Sequence, residues 1–371
     1  MSLYVHIPFC RSKCAYCNFF SVATKHRSDE VILSIIKELS LQRHFLQGEK
    51  IETIYFGGGT PSVIEAEQLF TVLDAIYNMF SVADNAEVTI EINPDDASPD
   101  YIAKLSERFN RLSIGIQSFV EEDLSLLGRK HQPKHALAAI SNARKAGFKN
   151  INIDLIYGIS ENHENFLKTL NTALAFNPEH ISAYSLTVEE NTRLHHKIKQ
   201  GKQPITSENI IEYQYKMLTQ KLSDADYDHY EISNFSKTNY ASKHNSAYWN
   251  GKPYLGVGPA AHSFNGNIRQ WNVSNITEYC QAIAQSKIPA TMEILSETDK
   301  YHEFIMLQLR QKKGLKLSDL THRFGKTLAD YFQNKIRPYV LSEHVITDGE
   351  RFYLPESSFL ISDYVISGLF C

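Results

Sequence analysis

The chain has 371 residues, 43% of them hydrophobic, and a formal net charge of −4. That is enough apolar length for a large core in two or more units, and the slight acidity excludes a general nucleic-acid binder. Five cysteines, three of them clustered, do not form a secreted disulfide framework, and the opening MSLYVHIPF is no signal peptide. With no run of about 18 apolar residues to make a transmembrane segment, a cytoplasmic protein is expected. Six short β-branched runs then follow in order: SLYVHI (2–7), IETIYF (51–56), EVTIEI (87–92), RLSIGI (111–116), NINIDLIY (150–157) and HISAYSL (180–186). Amphipathic helical stretches separate them at 28–46, 65–79, 98–108, 134–147 and 163–175. Ser28 with Glu30, and Ser98-Pro99-Asp100, are helix starts, while Gly147 after Lys145 is a stop. The alternation predicts parallel strands joined by right-handed crossovers. Six units fall short of the eight of a closed barrel, so an α/β fold with a partial, open (β/α)6 barrel is expected over 1–190. Its chemistry belongs at the carboxyl ends of the strands.

After residue 190 the rhythm breaks, and 191–294 reads as a connecting region. Its segment HNSAYWNGKPYLGVGPAAHSF (244–264) is dense in Gly, Pro and aromatic residues and is not expected to form a regular helix. Over 295–371, helices are predicted at 297–312, 316–324 and 328–341, followed by a hairpin over 344–354 that turns at Asp348-Gly349. This C-terminal α+β region reads as a winged-helix-like unit. With no basic excess, it is a packing or partner surface and not a DNA reader.

The chemistry begins at FCRSKCAYCNF, where Cys10, Cys14 and Cys17 are spaced C-x3-C-x2-C. Three thiolates on one loop suit three irons of a cubane [4Fe–4S] cluster and leave the fourth iron open to a small molecule. The competing reading is a Cys3His zinc site completed by His6. Tyr16, beside Cys17, either screens the cluster, stacks on an adenine, or packs as an ordinary core residue. The triplet Gly57-Gly58-Gly59, followed by Thr60, lets backbone approach a ligand closely, yet lacks the spacing of a phosphate loop or dinucleotide fingerprint. Glu91 is a carboxylate just inside the end of an apolar strand and needs a cationic or donor partner. Gln117 and Asp154 hold comparable places, and Arg129 in LLGRKH offers a guanidinium for a carboxylate. Singly these four read as structural hydrogen bonds or solvated charges; together, behind a cysteine loop, they read as a ligand site. In HNSAYW, chemistry alone favours His244 and Asn245 as loop hydrogen-bonders, with Tyr248 and Trp249 as core. Imidazole beside flat rings also suits heme, and His262 is a further candidate contact.

Along nearly its whole length the chain resembles the radical S-adenosylmethionine (radical-SAM) family of oxygen-independent coproporphyrinogen III oxidase. The segments that carry the resemblance are YVHIPFC, CxxxCxxC, YFGGGTPS, EINPDD, SIGIQSF, LGRKH, DLIYG, YEISNF and HNSAYW…YLGVGPAAHSF. The resemblance implies cluster ligation by Cys10, Cys14 and Cys17. It also implies S-adenosylmethionine (SAM) contacts at Tyr4, Tyr16, Gly58, Gly59, Thr60, Glu91, Gln117, Arg129 and Asp154, and no residue is assigned a catalytic role. The oxidases carry a further cysteine where this chain has Phe19, and an extension ahead of the cysteine motif. HNxxYW, at His244, Asn245, Tyr248 and Trp249, is similar to the heme-chaperone branch. The departures argue against decarboxylating activity, and the resemblance implies heme bound at His244 and passed to an apo heme-protein acceptor. Porphyrinogen oxidation and a zinc-stabilised interaction protein stand as rival readings. A homodimer, and peripheral membrane contact through the acceptor, are left open.

Overall fold

Alternation decides the architecture. Along β1 (Ser2–Ile7), Leu3, Val5 and Ile7 are fully buried against helices, while Tyr4 and His6 point to the other face. The computed structural model describes residues 1–371, and the same alternation holds in β2 (Ile51–Gly58), β3 (Val82–Ile92), β4 (Arg111–Gln117), β5 (Ile151–Tyr157) and β6 (His180–Ser185). Ile54, Phe56, Ile90, Leu112, Ile114, Ile153 and Leu155 take the helix-facing positions, with no exposed surface. Each such burial contributes about 1.5–3 kcal/mol. The opposite face is polar, with Thr89, Glu91, Arg111, Ser113, Asn152 and Asp154.

The six strands pair in parallel and in chain order. Crossovers run through α1 (Ser28–Leu41), α2 (Ala66–Met79), α3 (Pro99–Leu105), α4 (Glu121–Leu127) with α5 (Pro133–Lys145), and α6 (His163–Ala175). Start signals act as anticipated at α3, where the Ser98 side chain accepts from Tyr101 N and Pro99 takes the first turn. This is the partial α/β barrel expected from the sequence.

Residues 191–294 build more than a connection. After α7 (Arg193–Lys199) and α8 (Glu208–Asp224), β7 (Asp228–Glu231) and β8 (Asn234–Ser236) extend the sheet antiparallel beyond β6. Contrary to the expectation for 244–264, its first residues are helical, in α9 (Lys243–Trp249). Ser242 caps this helix by accepting from Asn245 N, and Gly251, at φ 64°, turns the chain just beyond it. Then β9 (Tyr254–Val257) pairs parallel with β1, and β10 (His262–Phe264), β11 (Ile268–Asn272) and, after α10 (Ile276–Ala284), β12 (Ala290–Ile294) continue antiparallel. One sheet therefore runs β12-β11-β10-β9-β1-β2-β3-β4-β5-β6-β8-β7.

The C-terminal unit runs α11 (Glu297–Leu309), β13 (Leu315–Lys316), α12 (Leu317–Leu341), β14 (Ile346–Thr347), β15 (Arg351–Tyr353) and α13 (Ser362–Ser367). Helix α12 breaks at Gly325 (φ 80°, ψ 173°), which divides it into the two predicted arms. The strands pair β13-β15-β14, and Asp348 Oδ1 accepts from Glu350 N and Arg351 N to close the hairpin. Helix, strand, two helices and hairpin are the winged-helix order. No helix of the chain is long and apolar enough to cross a membrane.

Candidate functional site

The polar faces of β1–β6 enclose a cavity of about 1140 Å³, which reaches from the cysteine loop at the strands' carboxyl ends to α9 at their amino ends. The residues to which the resemblance assigns cluster, SAM or heme contacts all line it: Tyr4, Cys10, Cys14, Tyr16, Cys17, Gly58, Gly59, Thr60, Glu91, Gln117, Arg129, Asp154 and His244; Gly57 and Trp249 do not.

The cysteine loop leaves β1 and is pinned at several points. Cys10 N donates to Val22 O (3.0 Å) and Val22 N to Pro8 O (2.8 Å). At the apex, Ala15 N donates to Leu127 O (2.9 Å) and Ala15 O accepts from Leu194 N (2.8 Å), so α4 and α7 hold the loop between them. Gly128, at φ 70°, permits that approach, because a Cβ there would stand 3.2 Å from Ala15 N. The Tyr16 ring packs against Leu127, Ile156 and Ile159 while bordering the cavity. Thr60 Oγ1 lies 3.5 Å from Cys10 Sγ, and Arg129 Nη1 3.4 Å from Cys14 Sγ.

The glycine triplet has a reason beyond ligand access. A Cβ on Gly58 would lie 2.5 Å from the His6 ring, and one on Gly59 2.6 Å from Phe9 O. The strand end needs glycine here to dock the cysteine loop, with Gly59 N donating to Ile7 O (2.8 Å) and Thr60 N to Phe9 O (2.7 Å). Backbone at Gly58 and Gly59 still faces the cavity.

Burial pushes Glu91 up to about 7, against the hydrogen bond it accepts from Tyr55 Oη (2.8 Å); the Asp154 charge adds to the rise. Burial also raises Asp154, which accepts from Asn152 Nδ2 (2.7 Å) and Ser113 Oγ (3.2 Å). Arg129 is fixed by Asn93 Oδ1 (2.7 Å) and by the Gly115 carbonyl. Gln117 is 9% exposed, sits at φ 68°, and its Oε1 has no partner. A buried unpaired acceptor on a strained backbone is a group kept for a ligand.

His244 lies at the far end of the cavity, 2% exposed. Its Nδ1 pairs with Thr53 Oγ1 (2.7 Å), its Nε2 with Tyr248 Oη (3.0 Å), and its ring stacks on Tyr55 with centroids 4.9 Å apart. Burial holds it down at about 3, so it stays neutral. Neither ring nitrogen is free for iron in this arrangement. His6 is likewise committed: its Nε2 donates to Phe20 O (3.0 Å), leaving Nδ1 to accept from Tyr4 Oη (3.1 Å). A Cys3His zinc site thus loses its fourth ligand, and no three Cys, His, Asp or Glu side chains converge closely enough for a single ion.

Two contributors escaped the sequence. Arg111, 2% exposed with an unpartnered Nε, lines the cavity near Glu91 and Asp154. Its only signal was its place on the polar phase of RLSIGI. Asn93 bridges Thr60 and Arg129 and gave no signal in EINPDD.

Residues 4–173 match the Radical SAM superfamily, and residues 295–361 match the HemN C-terminal domain. The heme chaperone HemW of Mycobacterium tuberculosis is 32% identical over 374 residues, spanning 99% of this chain and 94% of that protein. HemW of Bacillus subtilis is 30% identical over 370 residues, spanning 98% of this chain and 97% of its own length. The chain belongs to the HemN-like radical-SAM family, in its HemW branch. In fold it is similar to the radical-SAM coproporphyrinogen III oxidase HemN of Escherichia coli, with a TM-score of 0.86 at 24% identity over 99% of this chain and 89% of that one. The radical-SAM family implies SAM and a [4Fe–4S] cluster. The donor set fits: three free thiols border one cavity without closing on a single ion, beside the unpaired Gln117 Oε1.

Proposed function

We propose that the protein binds heme and passes it to apo heme-proteins, with a [4Fe–4S] cluster on Cys10, Cys14 and Cys17 and SAM beside it. The observation that carries this reading is the end-to-end similarity, at 30–34% identity, to proteins named heme chaperones. Phe19, 69% exposed on the cluster loop where the oxidases carry a cysteine, supports the same branch. When bound, the cluster supplies one-electron chemistry and an open coordination position for a small ligand. Around it, Arg129 meets the SAM carboxylate, and the Gly58–Gly59 backbone its amino group. Glu91, Gln117 and Asp154 take its remaining polar groups. Heme leaves by exchange of an iron ligand on this chain for one on the acceptor. For His244 to be that ligand, it must first release Thr53 or Tyr248.

The test is anaerobic reconstitution with iron and sulfide, followed by parallel assays of hemin binding and coproporphyrinogen III decarboxylation. Stoichiometric hemin uptake with negligible decarboxylation, even with SAM and a strong reductant, is expected. Robust decarboxylation without hemin uptake overturns the chaperone reading in favour of the oxidase.

A further inference from the structure

The sheet does not stop where the barrel's six strands begin. Strands β9 to β12 continue its inner, concave face past β1, and the side chains there follow the same alternation. Tyr254 pairs across from Phe264, Phe264 from Arg269, and His262 from Trp271. All but Trp271 border the cavity, and His262 is exposed. The result is a shelf with an aromatic surface, one imidazole and one guanidinium.

On this shelf the imidazole is free. The His262 side chain is exposed, has no hydrogen-bond partner, and stacks on Trp271 with centroids 6.1 Å apart at 23°. Arg269 bonds Glu303 Oε1 through Nη1 (2.8 Å), lies over the Phe264 ring at 5.6 Å, and keeps a buried Nε–H without a partner. His262 and Arg269 are diagonal neighbours on paired antiparallel strands, about 7–8 Å apart. An exposed imidazole without a partner, aromatic side chains and a guanidinium, all bordering one cavity, are the groups a tetrapyrrole site needs.

We propose that His262, and not His244, is the axial ligand of bound heme iron, with the ring set against Tyr254 and Phe264 and a propionate held by Arg269. The proposal rests on the heme-binding reading above and names the residue that reading needs. His244, committed to Thr53 and Tyr248, instead holds α9 to the barrel, while the exposed His262 lies where a partner protein can reach it.

The test uses the full chain titrated anaerobically with hemin and followed by absorption and EPR. His262→Ala should shift the Soret band and weaken hemin binding at least about tenfold, and added imidazole should restore the wild-type spectrum. Arg269→Gln should leave the Soret band in place while removing the preference of the wild type for hemin over its dimethyl ester. His244→Ala, checked for folding by circular dichroism, should keep the wild-type Soret band; His244→Gln serves if the alanine variant does not fold. A His262→Ala spectrum identical to wild type, or a Soret shift confined to the His244 variants, overturns the assignment while leaving heme binding intact. Failure of the wild type to take up hemin overturns both.

Discussion

Glu91 is a carboxyl whose folded environment favours the proton. Burial raises it to about 7, whereas an unfolded chain releases that proton near pH 4.3. Between those values the folded state binds a proton that the unfolded state has lost. Its contribution to stability is therefore present below pH 4.3 and falls as pH climbs towards about 7, then stays flat. Glu91→Gln removes the titration but keeps a hydrogen-bonding partner for Tyr55. The wild-type urea midpoint, measured against the variant from about pH 5 to about pH 8, should decline relative to it and then run parallel. Parallel curves throughout would show that Glu91 is ionised in the folded protein across the range. The residue itself was legible, because EVTIEI puts a carboxylate on the polar phase of a strand. What surrounds His244 was not: its partner Thr53 lies 191 residues away in sequence, and Glu87, which accepts from its backbone N–H at 3.1 Å, lies 157 away. No local pattern reports bonds of that span.

Among the elements, the loop between β1 and α1 depends on the end of β2 for its shape. Gly59 has no room for a side chain, since the nearest atoms to an added Cβ are backbone and cannot yield. Gly59→Ala should therefore push the cysteine loop outward, at a cost of about 1–3 kcal/mol. Iron per chain after reconstitution should fall together with the thermal midpoint. Gly147→Ala is the control: its glycine has positive φ, but nothing lies within 4 Å of an added Cβ, so it should lose stability without losing iron. Normal iron content in Gly59→Ala would mean the loop finds its geometry without the strand. The elements β1–β6, α1–α3, α5 and α6 were readable from their apolar spacing, whereas the seven-residue α4 was not anticipated. Helix α9 was not, because its seven residues are aromatic and polar and its stability comes from a Ser242 cap and from Glu87 bonding its first turn. Strands β8 and β10, three residues each, are too short to carry a period at all.

At the scale of the molecule, one sheet serves two ends of a single cavity. The cluster loop hangs from the carboxyl ends of β1 and β2, while β9–β12 form a wall on the far side of β1. Their backbones meet only at the β1–β9 pairing, where Ser2 to Val5 align with Tyr254 to Val257 below the loop. The hydrogen bonds that shape the cysteine loop come instead from Val22, Leu127, Leu194, Gly59 and Thr60, none of them on the wall. Disturbing the loop should therefore leave the wall standing. A Cys10→Ala, Cys14→Ala, Cys17→Ala variant should lose its reconstituted iron and its absorption near 400 nm, a band on the order of that of Fe–S charge transfer. It should nonetheless bind hemin within about threefold of the wild-type affinity, which corresponds to less than about 1 kcal/mol. Hemin titration of reconstituted wild type and triple variant, side by side and without oxygen, makes the comparison. If hemin affinity collapses with the cysteines, the two ends are coupled: either the cluster itself touches the heme, or the loop orders β9–β12 through β1. Circular dichroism melts of the triple variant separate those outcomes, because only the second lowers the melting temperature of the sheet.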